Sequence, residues 1–288
     1  MNKTFLKTLP ILQSQLLSQE AGIVHFSTLR GCDECDINKD ECDINKDECD
    51  INKVFGKYNL CSYSGDTLEH VLWSRKTYAE ALGITTERMW FPRQVHGTDI
   101  IVLSKSSENN NLNKDITQKY EEETTAYYDA VLTDEKRLLI GVSTADCVPI
   151  LLYDPIKEVV GAVHAGWRGT VARIATKSIM KLSEVFGCNP SDIKAMIGPS
   201  ISPEAFEVGD EVAVQFAENG FADCIVNGYE KPHIDLWKTN RKQLIQSGLL
   251  VENIDCTPIC TYHNSDILFS ARKLGIKSGR IISAIMLL

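Results

Sequence analysis

Three short fragments of this 288-residue chain contain residue types that could bind a metal ion. "RQVHGTD" contains His96, "STADCVPILLYD" contains Cys147 and "GAVHAGWRGT" contains His164. Each fragment adjoins an apolar run of strand length, so we expect the three side chains at strand ends, where they could converge. One thiolate and two imidazoles with an open fourth position are typical of a catalytic zinc site.

Each of these residues also has a purely structural interpretation, since a single cysteine or histidine beside a strand often fills a core. Small residues flank both histidines, however, in "VHG" and "HAGWRG". The imidazoles therefore have space for a ligand and no evident packing role. After His164, the glycines, Arg168 and the helix-start N–H groups expected near Thr170 are features of an anion-binding loop.

The elements that would position these residues are short strands and helices. Turn residues separate several apolar runs of strand length, which are "MWFPRQVHG", "DIIVLS", "DAVLT", "RLLIGVST", "VPILLYD", "EVVGAVHAG", "AMIGPSI" and "GRIISAIML". Helices are predicted in "GDTLEHVLWSRKTYAEALG", residues 170–186, "GDEVAVQFAENG" and "DLWKTNRKQLIQSG". No linker divides the chain, so we predict one α/β (α+β) domain over residues 1–288.

The first long helix places a charge on its apolar face. Asp66 and Glu69 resemble a capping box, and Gly83 is a stop signal. Arg75 shares a face with four apolar residues, Leu68, Leu72, Ala79 and Leu82. Burial of an unpaired charge is costly. Arg75 is therefore either a snorkelling edge residue or an anion-binding arginine that points into a site.

Composition restricts the cellular compartment and the kinds of binding partner that we expect for this protein. The net charge of −9 argues against general nucleic-acid binding. The chain contains no stretch of 18 apolar residues, so we expect no membrane-spanning helix. Its N-terminus has no small-residue cleavage site, so we expect no signal peptide. Ten cysteines without an export signal predict reduced thiols in the cytoplasm. We expect small-molecule partners, no nucleic acid or membrane, and a monomer or small homo-oligomer.

An acidic heptad, "ECDINKD", repeats within residues 32–53. It could be a metal buffer or interaction module. Against a metal site, residues 32–53 contain no histidine and only one CxxC pair. Against a calcium loop, Glu41 stands where such a loop requires glycine. Because the segment is acidic and lacks aromatic residues, we predict a low-complexity insertion that has no core of its own.

Several motifs together resemble a known family. They are "FSTLRG", "YNLCSYSGD", "RQVHGTD", "TADCVPILLYD", "VHAGWRGT", "IGPSISPEAFEVGDEV", "HIDLWKTNRKQL" and "CTYHNSDILFSARKLGIKSGR". From about Gly22 to the C-terminus the chain resembles the laccase-domain (multicopper polyphenol oxidoreductase) family, now regarded as zinc-dependent purine nucleoside phosphorylases. The resemblance implies a single-domain layered α/β sandwich with mixed β-sheets and zinc ligands at His96, Cys147 and His164. The family's helix arginine corresponds to Arg75.

The resemblance implies phosphorolysis of adenosine, inosine, guanosine and methylthioadenosine, and deamination of adenosine. Zinc-activated water would serve deamination. Arg75, together with Arg168, is the candidate phosphate partner. In the family a short turn joins the segments that here flank residues 32–53. The heptads would thus lengthen a surface turn, at little cost in closure entropy.

Two alternatives to this chemistry stay open. Some family members are described as peptidoglycan editing factors, and Cys147 with His164 could be the nucleophile and base of an amidohydrolase. Copper-dependent polyphenol oxidation needs many histidine ligands for a three-copper cluster, whereas this chain has six histidines. Cys147 with His96 and His164 could hold one copper ion, so copper oxidation would at most be a side activity.

Overall fold

The computed structural model of the protein describes residues 9–31, 54–104 and 127–288. The heptads at 32–53 and the polar loop predicted at 107–124 lie outside the described residues. None of the helices within the described ranges combines the length and the apolar character needed to cross a bilayer.

The described strands form two large sheets and one small sheet. The strands are β1 (Ile11–Leu12), β2 (Ile23–Thr28), β3 (Met89–Trp90), β4 (Ile100–Leu103), β5 (Ala130–Thr133), β6 (Leu139–Thr144), β7 (Val148–Asp154), β8 (Val159–Ala165), β9 (Lys194–Ile197), β10 (Ile225–Val226), β11 (His233–Ile234), β12 (Ile254–Cys256) and β13 (Ile281–Leu287). The strand orders are β1-β2-β13-β6-β3, β12-β9-β7-β8-β5-β4 and β10-β11. Both large sheets are mixed: β7 and β8 pair antiparallel, whereas β4 and β5 pair parallel, as do β3 and β6.

Helices cover the outer faces of the two large sheets. They are α1 (Gln15–Ser18), α2 (Leu68–Leu82), α3 (Trp167–Val171), α4 (Ile174–Phe186), α5 (Asp210–Phe216), α6 (Leu236–Gln246) and α7 (Ala271–Leu274). Along β7, Ile150 and Leu152 pack with α4, α5 and α6, whereas Leu151 packs against β6 and β13 of the other sheet. The far face of that second sheet packs on α2. This order of layers confirms the predicted layered α/β sandwich with mixed β-sheets. That it forms one domain stays a prediction.

The central strands are buried on both faces. Every residue of β7 and of β8 is buried. This explains why "VPILLYD" and "VVGAVHA" are nearly continuous apolar runs rather than alternating patterns. Helix α2 ends as predicted at Gly83, which has a left-handed φ of 64°.

The predicted cap and buried face of α2 need correction. Thr67, not Asp66, is the N-cap, and its hydroxyl accepts the His70 N–H at 3.3 Å. Asp66 instead accepts from the His70 ring at 2.7 Å. Leu68 is 59% exposed because the helix turns Val71 rather than Leu68 toward the sheet. The buried face of α2 carries Val71, Ser74, Arg75, Tyr78, Ala79 and Leu82.

The helix predicted over residues 170–186 is in fact two helices, α3 and α4. Arg173 separates them, with a φ of 64° that no helix continues. Because α3 already begins at Trp167, the Thr170 N–H donates to the Gly166 carbonyl at 2.8 Å. The Thr170 N–H is therefore not a helix-start donor, and the helix-start N–H groups are those of residues 167–169, three positions or fewer before it.

The described residues on the two sides of residues 32–53 lie close together. The Lys57 N–H donates to the Arg30 carbonyl at 3.0 Å, so the chain on the two sides of the segment is in contact.

We expect deletion of residues 36–48 to leave the melting temperature, metal content and turnover nearly unchanged. The closed ends make the change in closure entropy less than about 1 kcal/mol. Thermal melting and metal analysis check this, with a glycine–serine segment of equal length as the control. Loss of one metal equivalent in the deletion alone would contradict it.

His25 on β2 predicts an acid-sensitive step in stability. It is 1% exposed, its Nε2 accepts the Ser14 N–H at 2.9 Å, and burial lowers its pKa to about 4. In the unfolded chain His25 binds a proton as the pH falls below its ordinary pKa of 6.5, whereas in the folded chain it binds one only near pH 4. The free energy of unfolding should therefore fall as the pH falls through this window, by about 2 kcal/mol at pH 5.

Urea unfolding of wild type and His25→Gln checks this prediction. Glutamine can still accept the Ser14 N–H but does not titrate. Between about pH 7.5 and about pH 5, wild type should lose about 2 kcal/mol more than the variant. Equal losses in the two proteins would show that His25 does not control this step.

Candidate metal centre

The fold brings His96, Cys147 and His164 together. One ring nitrogen from each histidine and the Cys147 Sγ all lie within 4.8 Å of one another. Pairing of β7 with β8 explains part of this, because Val148 lies opposite Ala165 and Cys147 directly precedes Val148. The three residues form a group that could hold a metal ion.

His164 lies within β8 and is 3% exposed. Its Nδ1 contacts the Asp129 Oδ1 at 2.7 Å, so its Nε2 is the atom left for a ligand. The His164 and His96 rings lie edge to face, with centroids 4.9 Å apart.

His96 is not at a strand end as predicted. Strand β3 ends at Trp90, and His96 lies in the exposed loop that follows, with a φ of 62°. The loop turns around the Asp129 carboxylate, which accepts the N–H groups of Val95, His96 and Gly97 at 3.3, 2.9 and 2.7 Å. A run of backbone N–H groups that surrounds an anion fixes such a loop.

Gly166 lies directly beside the side chains of His96 and Cys147. A Cβ at this position would lie 2.7 Å from the His96 Cδ2 and 3.2 Å from the Cys147 Sγ. Only glycine leaves the two ligand side chains in place. This gives a structural reason for the "HAGW" sequence.

Asp146 fixes the backbone just before Cys147. Its φ of 96° is unusual for a residue with a side chain. Its carboxylate accepts from the Thr261 hydroxyl and the Arg272 N–H, both at 2.7 Å, and its carbonyl accepts the Ile201 N–H at 2.9 Å. These bonds hold a conformation that would otherwise be strained.

The charges in the group favour a thiolate. Burial opposes ionisation of Cys147, but the His164 and His96 imidazoles bring the thiol pKa below its usual value. Burial also opposes protonation of His164, yet the Cys147 thiolate and Asp129 raise the pKa of this imidazole. A thiolate is the form that binds a metal or attacks as a nucleophile.

The two arginines predicted to bind phosphate lie in different environments. Arg75 is 3% exposed, its Nε donates to the Leu60 carbonyl at 2.8 Å, and its guanidinium lies 5.1 Å from the Phe91 ring centroid. Burial excludes the snorkelling alternative. Arg168 is exposed on α3, with its guanidinium 4.3 Å from the Trp167 ring centroid. Their roles toward phosphate stay predictions.

The remaining histidines lie at other places. His25 contacts Ser14, His70 contacts Asp66, His233 contacts the Pro203 carbonyl, and His263 is exposed. Within residues 9–31, 54–104 and 127–288, one group of metal-ligating side chains is present. The described part of the chain therefore offers ligands for one ion rather than for a three-copper cluster.

Asp129 was not among the residues predicted from the sequence. The available signal was an acidic residue directly before the wholly buried strand "AVLT", where a charge needs a partner. The sequence could not identify that partner, because His164 follows 35 positions later.

Comparison with known proteins agrees with the fold and the motifs. The family model described as multi-copper polyphenol oxidoreductase laccase matches residues 46–288. A purine nucleoside phosphorylase of Bacteroides thetaiotaomicron is 35% identical over 283 residues, which covers 96% of each chain. The adenosine deaminase RL5 of an unknown prokaryotic organism is 38% identical, over 79% of this chain and 86% of its own. The crystal structure of Bacillus licheniformis YfiH superimposes with a TM-score of 0.78 at 25% identity, over 98% of both chains.

Proposed function

Because the chain belongs to the multi-copper polyphenol oxidoreductase laccase family, we propose that it is a purine nucleoside phosphorylase with one zinc ion at His96, Cys147 and His164. The observation that carries the proposal is the convergence of these three ligand atoms within 4.8 Å. The similarity to a purine nucleoside phosphorylase over nearly the whole chain supports the reaction class.

The residues present fit zinc. Two imidazoles and a thiolate are zinc ligands, and three protein ligands leave one position open. Gly166 preserves the space beside His96 and Cys147 that a Cβ would fill. Zinc held by His96, Cys147 and His164 would supply a Lewis acid able to activate water near neutral pH. One copper ion could also use this ligand set, which would permit phenol oxidation as a side activity.

In phosphorolysis, a phosphate oxygen bonds to the anomeric carbon as the bond from that carbon to the purine nitrogen breaks. The purine leaves with the electron pair and takes up a proton, and the sugar leaves as its 1-phosphate. The protein must hold the phosphate on one side of the anomeric carbon. Arg75 and Arg168 are the cations proposed for this task.

The proposed substrates are adenosine, inosine, guanosine and methylthioadenosine. Adenosine would also be deaminated: water adds at C6 of the purine, ammonia leaves, and inosine forms. The similarity to the adenosine deaminase RL5 supports this second activity. We place both reactions in the cytoplasm. The cysteines of the described ranges are free thiols, as a reducing compartment favours.

Metal analysis and chromatography of nucleosides test the proposal together. The purified protein should contain about one zinc per chain. It should release adenine from adenosine only when phosphate is present and form inosine without phosphate. Zinc-free protein with full activity, or base release that does not depend on phosphate, would overturn the proposal.

One observation favours a second candidate function, hydrolysis by a cysteine nucleophile. The Cys147 Sγ and a ring nitrogen of His164 lie within 4.8 Å of each other, and the His164 Nδ1 contacts Asp129 at 2.7 Å, which is the order of a Cys-His-Asp triad. Such an amidohydrolase could edit a peptidoglycan precursor. It would need a metal-free thiolate, because a thiolate bound to zinc is not a free nucleophile. Amide hydrolysis that increases when zinc is removed would support this candidate.

A further inference from the structure

One carboxylate contacts both histidines of the metal centre. Asp129 is 0% exposed and directly precedes β5. Its Oδ1 contacts the His164 Nδ1 at 2.7 Å and the His96 N–H at 2.9 Å. Its Oδ2 accepts the Gly97 N–H at 2.7 Å and the Val95 N–H at 3.3 Å. Every one of these partners is a donor to the carboxylate when Nδ1 of His164 carries the proton.

The contact with His164 selects one tautomer. A neutral imidazole has one N–H and one acceptor nitrogen. With the proton at Nδ1 facing Asp129, the lone pair is at Nε2, the atom that can bind a metal. The backbone adds a second link, because the His164 N–H donates to the Asp129 carbonyl at 2.7 Å. The ring is therefore fixed in orientation, with Nδ1 as the nitrogen that carries a proton toward Asp129.

The contacts with residues 95–97 hold His96. The left-handed φ of 62° at His96 is unfavourable for a residue with a side chain. Three N–H groups directed at one buried carboxylate offset this cost and leave the imidazole on the side of Cys147. The Gly97 position is tight against the same carboxylate, since a Cβ there would lie 3.3 Å from the Asp129 Oδ2.

We propose that Asp129 is the positioning residue that organises His96 and His164 for zinc binding before the metal arrives. This inference rests on the proposed zinc site. Asparagine has the same shape but replaces one acceptor oxygen with an NH₂ donor. Whichever way the amide turns, that donor faces either the His164 Nδ1–H or the backbone N–H groups. With the donor at the Oδ1 position, His164 and the His96 N–H both lose their acceptor. With the donor at the Oδ2 position, the N–H groups of Val95 and Gly97, on either side of His96, lose theirs. In either orientation the support of at least one histidine is weakened.

Asp129→Asn should weaken zinc binding by about 10–100-fold, the usual effect of removing the hydrogen-bond partner of a ligating histidine. Competition with a chromogenic chelator measures the affinity without any assay of activity. Asp134→Asn is the matched control, because Asp134 is exposed just after β5 and the charge change is the same. The control should bind zinc as wild type does.

A second measurement needs no variant. Nitrogen NMR of the histidine rings in the zinc-loaded wild type should show His164 protonated at Nδ1 and ligated through Nε2. Ligation through Nδ1 would overturn the inference even if Asp129→Asn did not fold. Folded Asp129→Asn with wild-type zinc affinity would also overturn it. Absence of zinc binding by wild type would instead overturn the proposed function itself.

Discussion

Replacing Cys147 with alanine is expected to remove the proposed zinc ion and both proposed nucleoside activities. The thiolate is the only anionic ligand in the three-residue group, and its loss leaves two imidazoles. Loss of a hydrogen-bond partner of a ligand usually weakens metal binding by about 10–100-fold. Loss of the thiolate ligand itself should weaken zinc binding by more than this. Elemental analysis and chromatography of adenosine products with and without phosphate measure the result.

Cys256→Ala is the matched control for this variant. Cys256 is also partly exposed and a free thiol, but it lies on β12, outside the metal-ligating group. It should keep about one zinc per chain and full turnover. Stoichiometric zinc together with full turnover in Cys147→Ala would show that the thiol is not a ligand. A metal-free wild type whose amide hydrolysis depends on Cys147 would favour the amidohydrolase.

Replacing Arg75 with glutamine is expected to raise the KM for phosphate by about 10–100-fold, because hydrogen bonds to charged groups contribute about 1.5–3 kcal/mol. Glutamine removes the charge yet can still donate to the Leu60 carbonyl that now accepts the Arg75 Nε at 2.8 Å. Adenosine deamination uses water instead of phosphate and should change little. The ratio of the two activities therefore separates phosphate binding from a general loss of structure.

Arg173→Gln controls for the loss of a structural arginine. Arg173 also donates to a backbone carbonyl, that of Asn219 at 2.9 Å, and lies over a phenylalanine, with its guanidinium 4.8 Å from the Phe221 ring centroid. It should leave the KM for phosphate unchanged. Should phosphorolysis and deamination fall by the same factor in Arg75→Gln, Arg75 would be a structural residue. The exposed Arg168 would then be the remaining candidate, and Arg168→Gln tests it in the same assay.

The limits of the local sequence pattern are clear around α2. Gly83 ends the helix as predicted, since a left-handed residue is required there and glycine adopts it freely. The apolar pattern did not identify which face of α2 is buried. Leu68 and Val71 are both apolar, and only the packed sheet decides that Val71 is buried and Leu68 exposed. The N-cap is Thr67 rather than the predicted Asp66, because the Asp66 carboxylate contacts the His70 ring instead.

The sequence by itself determined the type of most elements and the chemistry of the candidate ligands. The continuous apolar run of β7 and the residue types of His96, Cys147 and His164 can be read without a structure. Only the tertiary structure decided the distances among them and the partner of Asp129. Hydrophobic pattern and turn signals act over a few residues, whereas these contacts depend on strand register. β7 and β8 form a hairpin, but β5 pairs with β8 across a longer separation, with Ala130 opposite Val163. A shift of one residue in that register would turn His164 to the other face of the sheet and away from Asp129 and Cys147.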